Sequence, residues 1–182
     1  MTAPLQKLNT LPATDARAEF LRCCGSTRWA EAMSAARPFT NASHLLEAAD
    51  SHWRATTASD WLEAFSHHPR IGERSLDNAR FAATAKWSQQ EQGSMSGVDQ
   101  EIKSRLDALN REYEDRFGFV FLICATGRSA PDMLQSLEQR LRNGREQELR
   151  NAAAEQAKIM RLRLEKLLAA DPVAPTSLGG AA

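Results

Sequence analysis

Residues 117–127 constrain the fold of this chain more than any other stretch: Phe117-Gly118-Phe119-Val120-Phe121-Leu122-Ile123-Cys124-Ala125-Thr126-Gly127. The run is continuously apolar, rich in aromatic and β-branched residues, and closed by glycine. Propensity alone assigns it to a buried strand. A strand needs a neighbour, and the chain offers no second stretch of this character. A lone buried extended segment leaves amide and carbonyl groups without partners. Three solutions are open: side chains that reach the backbone, core helix for at least half of the run, or a polar ligand lying against part of it.

Around this run the pattern is helical. Leu8-Asn9-Thr10-Leu11-Pro12 reads as a short lead-in. From Ala13, Ala16, Phe20 and Cys23 or Cys24 share one face, up to a stop at Gly25. Trp29, Met33 and Ala36 mark a second helix, stopped by Arg37-Pro38-Phe39. Asn41 or Ser43 can cap a third, with Leu45, Leu46, Ala49 and Trp53 inward. Ser59 can cap a fourth over 60–67. Residues 74–87 are alanine-rich and helical in character, and 93–97 is a breaker. A long helix over 98–116 carries Ile102, Leu106, Leu109 and Tyr113 as its stripe, and Pro131 can start another reaching about residue 143. The last helix, 145–169, places Leu149, Ala152 or Ala153, Gln156, Ile159 and Leu162 or Arg163 at helical spacing. Beyond Asp171 the chain is Pro, Gly, Ala and Ser and reads as a disordered tail. No internal repeat and no second domain is visible.

Charge excludes some functions. Lys and Arg total 23 against 23 Asp and Glu, so the basic excess of a nucleic-acid binder is missing. Three cysteines, Cys23, Cys24 and Cys124, make an odd set without CxxC spacing, which fits a reducing cytoplasmic setting and speaks against a disulfide framework or zinc site. The N-terminal residues lack a signal-peptide pattern, and no apolar run approaches the roughly 18 residues that cross a membrane. HExxH, GxGxxG, GK[ST] and GxSxG are all missing, so no metal, nucleotide or acyl-enzyme chemistry is expected.

Three places can carry chemistry. His67-His68-Pro69-Arg70-Ile71-Gly72 follows an apolar-periodic run. Proline pushes His68 out of helical geometry, so its ring stands fixed and half-exposed at the rim of a core, a good proton carrier. Equally, both histidines can cap the helix dipole. Ser88, Glu91 and Gln92 fall on one helix face, as a substrate grip or, for Ser88 and Glu91, as a capping box. Glu91 can also raise the pKa of a nearby imidazole. In the last helix Arg163 lies on the apolar face and Arg161 on its flank. A buried arginine has a fixed anionic partner: either a structural glutamate or a bound carboxylate or ureido group. Cys124 reads as an inert core thiol, and Trp29, Trp53, Trp61 and Trp87 as core or interface residues.

In their order and spacing these stretches resemble one family, the 2-oxo-4-hydroxy-4-carboxy-5-ureidoimidazoline (OHCU) decarboxylases of urate degradation. The resemblance runs from Leu8-Asn9 to about Leu168. It includes Phe20, Trp29, Arg37-Pro38-Phe39, His68-Pro69-Arg70-Ile71-Gly72, Ser88-x-x-Glu91-Gln92, Phe117-Gly118-Phe119, Phe121-Leu122-Ile123-Cys124-Ala125, and Ile159 with Arg163-Leu164. It implies an all-α fold: a single-domain bundle of about eight to ten helices over 1–170 with one irregular apolar segment. It implies a homodimer, no cofactor, and decarboxylation of OHCU to (S)-allantoin in the cytoplasm. His68 corresponds to the family's catalytic histidine. Pro69, Ser88, Gln89, Gln90, Glu91, Gln92, Phe121, Leu122, Ile123, Cys124 and Ala125 carry over as substrate contacts, and Arg163 matches the arginine of the last helix. Glu91 and Arg163 are expected to work with His68. The chain departs from many members in having Gly93-Ser94 after Glu91-Gln92 and Arg70-Ile71 after His-Pro. The alternatives are a non-catalytic helical adaptor and a hydrolase acting on 5-hydroxyisourate.

Overall fold

The computed structural model describes residues 2–71, 85–91, 93 and 97–169. Among them run nine helices and no strand: α1 (Ala3–Thr10), α2 (Ala13–Cys23), α3 (Thr27–Ala35), α4 (Ala42–Arg54), α5 (Ala58–Phe65), α6 (Ala85–Glu91), α7 (Gln100–Phe117), α8 (Ala130–Arg140) and α9 (Arg145–Ala169). The all-α expectation holds. The tail at 171–182, and the expected helix over 74–87 except its last residues, lie outside the described residues.

Local chemistry sets the helix ends. Asn41 accepts from the His44 N–H and caps α4, and Ser26 does the same for α3 through Trp29. α5 is capped by a Thr57–Asp60 box rather than by Ser59, and α8 by a Ser129–Asp132 box with proline in its first turn. α7 ends where Gly118 adopts φ +79°, left-handed geometry that a side chain would resist. The lead-in is itself helical. Leu5 and Leu8 of α1 bury against the core, and the Arg37 guanidinium closes the helix by donating to the carbonyls of Leu8 and Leu11, both at 2.8 Å.

The bundle is built on α9, whose 25 residues span about 37 Å. It packs against α1, α2, α4 and α5. Being enclosed on several sides, it buries polar residues as well as apolar ones: Glu148, Glu155, Gln156 and Arg163 lie inside beside Leu149, Ile159, Met160 and Leu164. Trp53 ties α4 to α9 through a bond from its indole N–H to the Ala153 carbonyl at 3.1 Å. Trp29 bonds the Ala49 carbonyl at 3.0 Å and meets Phe20 edge to face.

The apolar run forms neither strand nor core helix. Only Phe117 belongs to α7, because the left-handed Gly118 ends the helix there. Phe119, Phe121, Leu122, Ile123 and Ala125 are buried along an irregular path. Side chains meet several of its backbone groups. The Glu155 carboxylate accepts from the Cys124 N–H at 2.8 Å, and Arg140 donates to the Leu122 carbonyl at 2.8 Å. Arg140 also stacks on the Phe121 ring and pairs with the fully buried Glu148, which takes further bonds from Tyr113, Asn143 and Asn151. This polar cluster holds the segment in place beside α9.

Candidate active site

The corner after α5 is wound tightly. The N–H of His67 bonds the Ala64 carbonyl at 3.1 Å, and that of His68 bonds the Phe65 carbonyl at 3.0 Å, a 3₁₀-like closing turn before Pro69. One residue of rotation sends His67 outward and His68 inward. Gly25 permits this. A Cβ there would lie 2.5–2.7 Å from Cγ, Cδ2 and Cβ of His67. On the far side Arg70 grips Glu114 of α7 with both arms of its guanidinium, at 2.5 and 2.7 Å, and Asn110 donates to the Ile71 carbonyl. His68 is therefore more enclosed than the expected half-exposed imidazole, at 7% exposure, because the chain turns inward at the proline instead of along the rim.

His68 opens onto a pocket of about 410 Å³, its mouth included. The walls are His68, Pro69 and Ile71 from the corner, Ser88 and Glu91 from α6, residues 121–126, and Ile159 and Leu162 from α9. Arg163 lies behind Ser88 and Glu91, 2% exposed. Its Nε and Nη2 fork onto the two Glu91 oxygens at 3.1 and 2.9 Å. Nη2 also reaches Ser88 Oγ and Nη1 the Arg22 carbonyl, each at 3.4 Å. Lys166 adds a second cation to Glu91 at 3.3 Å. Ser88 stands inside α6, so the capping-box reading is replaced by contact with Arg163. The flank position of Arg161 is confirmed by its pairing with Asp50.

The electrostatics differ from expectation. Burial, reinforced by the Arg163 charge, pushes His68 down to about 3; Gln156 pulls weakly the other way, and His67 adds a small push down. A carboxylate such as Glu91 can raise the pKa of an adjacent imidazole. The Glu91 carboxylate is instead engaged by Arg163 and Lys166, and the cation is what the imidazole feels. The resting His68 is a neutral ring, chemically able to accept or relay a proton. Burial and the Glu155 charge raise the Cys124 thiol, so it stays protonated and is no nucleophile. Burial likewise raises Cys24 to about 12. Among the described residues no group of three or more His, Cys, Asp or Glu is placed to hold a metal ion.

This arrangement, a neutral histidine facing a pocket that shares an arginine-held glutamate and the irregular apolar segment, sits within a stretch that matches one family model. The model describes OHCU decarboxylase and covers residues 9–165. The chain belongs to the OHCU decarboxylase family. An OHCU decarboxylase of Amia calva is 33% identical over 140 residues, covering 76% of this chain and 79% of that protein. A uric acid degradation bifunctional protein of Arabidopsis thaliana is 35% identical over 149 residues, covering 82% of this chain and 46% of its own length. The chain thus spans about half of that bifunctional relative. A crystal structure of OHCU decarboxylase in the presence of (S)-allantoin superposes with a TM-score of 0.72 at 35% identity, covering 84% of this chain and 98% of that one.

Of the residues that the OHCU decarboxylase resemblance singles out, His68, Pro69, Ser88, Glu91, Phe121, Leu122, Ile123, Cys124 and Ala125 converge on the pocket. Arg163 supports it from behind through Glu91 and Ser88. Gln90 is exposed and lies off the lining. Gln92 and the Gln89 side chain lie outside the described residues. Ile71, Thr126, Ile159 and Leu162 complete the lining and are not among the expected contacts. Leu162 carries a signal in its helical spacing with Ile159, and Thr126 in its place near the end of the apolar run.

Proposed function

We propose that this chain decarboxylates OHCU to (S)-allantoin, with His68 as the proton-transferring residue. The observation that carries the reading is the neutral His68 ring at the wall of a pocket shared with the Arg163-anchored Glu91, in a chain of this family. The substrate bears carboxylate and hydroxyl on one ring carbon, next to a ring C=N. When the C–C bond to the carboxylate breaks, its electron pair flows into that C=N, so the substrate is its own electron sink. Counted from the carboxylate anion, forming the product takes up one proton. In addition the hydroxyl proton leaves oxygen while a proton arrives on the neighbouring carbon. A neutral imidazole suits that exchange, accepting at one nitrogen and returning a proton to one face. Delivery from a fixed side yields a single enantiomer. Apolar walls from Ile71, Phe121, Ile159 and Leu162 favour loss of the charged carboxylate as neutral carbon dioxide.

Glu91 and Arg163 orient the ureido arm as one unit, Glu91 accepting from its N–H groups. Residues 121–126 line the pocket, and their backbone would supply further donors and acceptors, apart from the Cys124 N–H that Glu155 holds and the Leu122 carbonyl that Arg140 holds. The reading also takes the protein as a cytoplasmic homodimer whose domain spans 1–170, supported by the family's usual assembly and by three free thiols.

The test supplies freshly formed urate oxidation product and follows optical activity and the absorbance of each intermediate separately. Accelerated OHCU loss with (S)-allantoin appearing supports the reading. Faster loss of 5-hydroxyisourate alone would mark a hydrolase, and no acceleration of either would mark an adaptor. His68→Asn should fold and lose turnover; near-native rates in that variant would reject the assignment.

A further inference from the structure

We infer that Gln156 is a positioning residue, whose carboxamide, buried behind the pocket wall, holds the His68 imidazole in one orientation and one tautomer and bonds its second N–H when the ring takes up a proton. The inference rests on the decarboxylase reading of the same site. Gln156 is 0% exposed, and neither its Oε1 nor its Nε2 completes a hydrogen bond of normal geometry. An unpaired buried amide is destabilising, so an apolar side chain would make the more stable core. The carboxamide is near enough to His68 to favour a proton on its ring. It lies one turn before Ile159 and two turns before Arg163 on α9, the helix that floors the site. Gln156 is not part of the pocket lining, so it acts through His68 and not on substrate.

The groups facing His68 explain why such a partner matters. Arg163 from α9 and His67 on its own turn both oppose a second proton. Glu91 of α6 shares the pocket but is committed to Arg163 and Lys166, and the Cys124 thiol from the apolar run stays neutral. Gln156 is the neighbour that favours protonation of the ring. A histidine nitrogen that faces a fixed acceptor is set in tautomer by that acceptor, which decides which nitrogen is free toward the substrate.

The experiment compares wild type with Gln156→Met and Gln156→Glu, reading thermal midpoint, kcat and KM for OHCU, the pH profile of kcat, and ¹⁵N shifts of the His68 ring. Gln156→Met should fold with a midpoint at or above wild type, keep KM within about threefold, lose kcat by about tenfold or more, and show His68 as a tautomer mixture. Gln156→Glu should move the acidic limb of kcat to higher pH by about one unit or more, because a carboxylate favours the imidazolium. Wild-type kcat with an unchanged tautomer in Gln156→Met overturns the inference. Should that variant not fold, an unmoved limb in Gln156→Glu overturns it. Wild-type protein that produces no (S)-allantoin fails the decarboxylase reading instead, and the ring shifts alone then decide whether Gln156 sets the His68 tautomer.

Discussion

Lowering the pH should destabilise this protein through His68. The ring has an ordinary pKa of 6.5 and is held at about 3 in the folded chain. Between those values the unfolded state binds a proton that the native state refuses. Stability therefore rises with pH across the window, is fully present above 6.5, and is lost as pH falls toward 3. The slope is about 1.4 kcal/mol per pH unit, so the step from pH 6.5 to 5.0 removes about 2 kcal/mol, a large part of a typical domain's stability. Asp60, Asp132 and Glu155 are all held below the ordinary carboxylate range, so pH 5 is a suitable floor for the measurement. Urea unfolding at pH 7.5, 6.5, 5.75 and 5.0 gives the slope directly. His68→Asn is the control, since it keeps a buried polar side chain of similar reach without the titration. Its stability should be nearly flat relative to wild type over this range. Parallel slopes in the two proteins would show that His68 is neither buried neutral nor opposed by Arg163.

Other outcomes follow from the same contacts. Gly25→Ala places a methyl group against the base of the His67 side chain, which has no flexible end to yield; unfolding free energy should fall by about 1–3 kcal/mol, and kcat should fall as His68 shifts. Unchanged stability and rate would show that the corner tolerates displacement. Arg140→Met removes the cation from Glu148 and the donor from the Leu122 carbonyl, and should destabilise by about 3–5 kcal/mol in urea titrations; a loss under 1 kcal/mol would contradict the role given to this cluster. Arg163→Lys cannot reproduce the fork on Glu91, and kcat/KM should drop by about 10- to 100-fold, the equivalent of one charge-assisted bond; wild-type kcat/KM would mean that the pair is only structural.

Much of the site was legible because its parts are local in sequence. Proline after His68 and the helix end before it dictate a corner, whatever packs around it. Ser88 and Glu91 share a face by helical period alone, and both reach the pocket. Arg163 stood out as a charge on an apolar stripe, and it is buried on Glu91. Gln156 carried the same kind of signal, a polar residue among Ala152, Ala153 and Ile159. Its effect on His68 was not legible, because α5 and α9 meet only through the fold. The direction of the His68 shift is hidden for the same reason: a nearby carboxylate raises a histidine only when no cation takes it first.

Periodicity, caps and breakers determined that the chain is helical, where most of its helices run, and which side chains have unusual chemistry. Those properties depend on neighbours within a turn or two and so are written along the chain. The path of residues 117–127 was decided only in three dimensions. Glu155 and Arg140 come from α9 and α8 to satisfy its backbone, and without them the same residues would suit a strand. The charge state of His68 was decided in the same way, since desolvation and the Arg163 field exist only once α9 has closed over the corner. Local geometry follows from covalent and short-range constraints, whereas burial and Coulomb interactions depend on distances that only the packed chain defines.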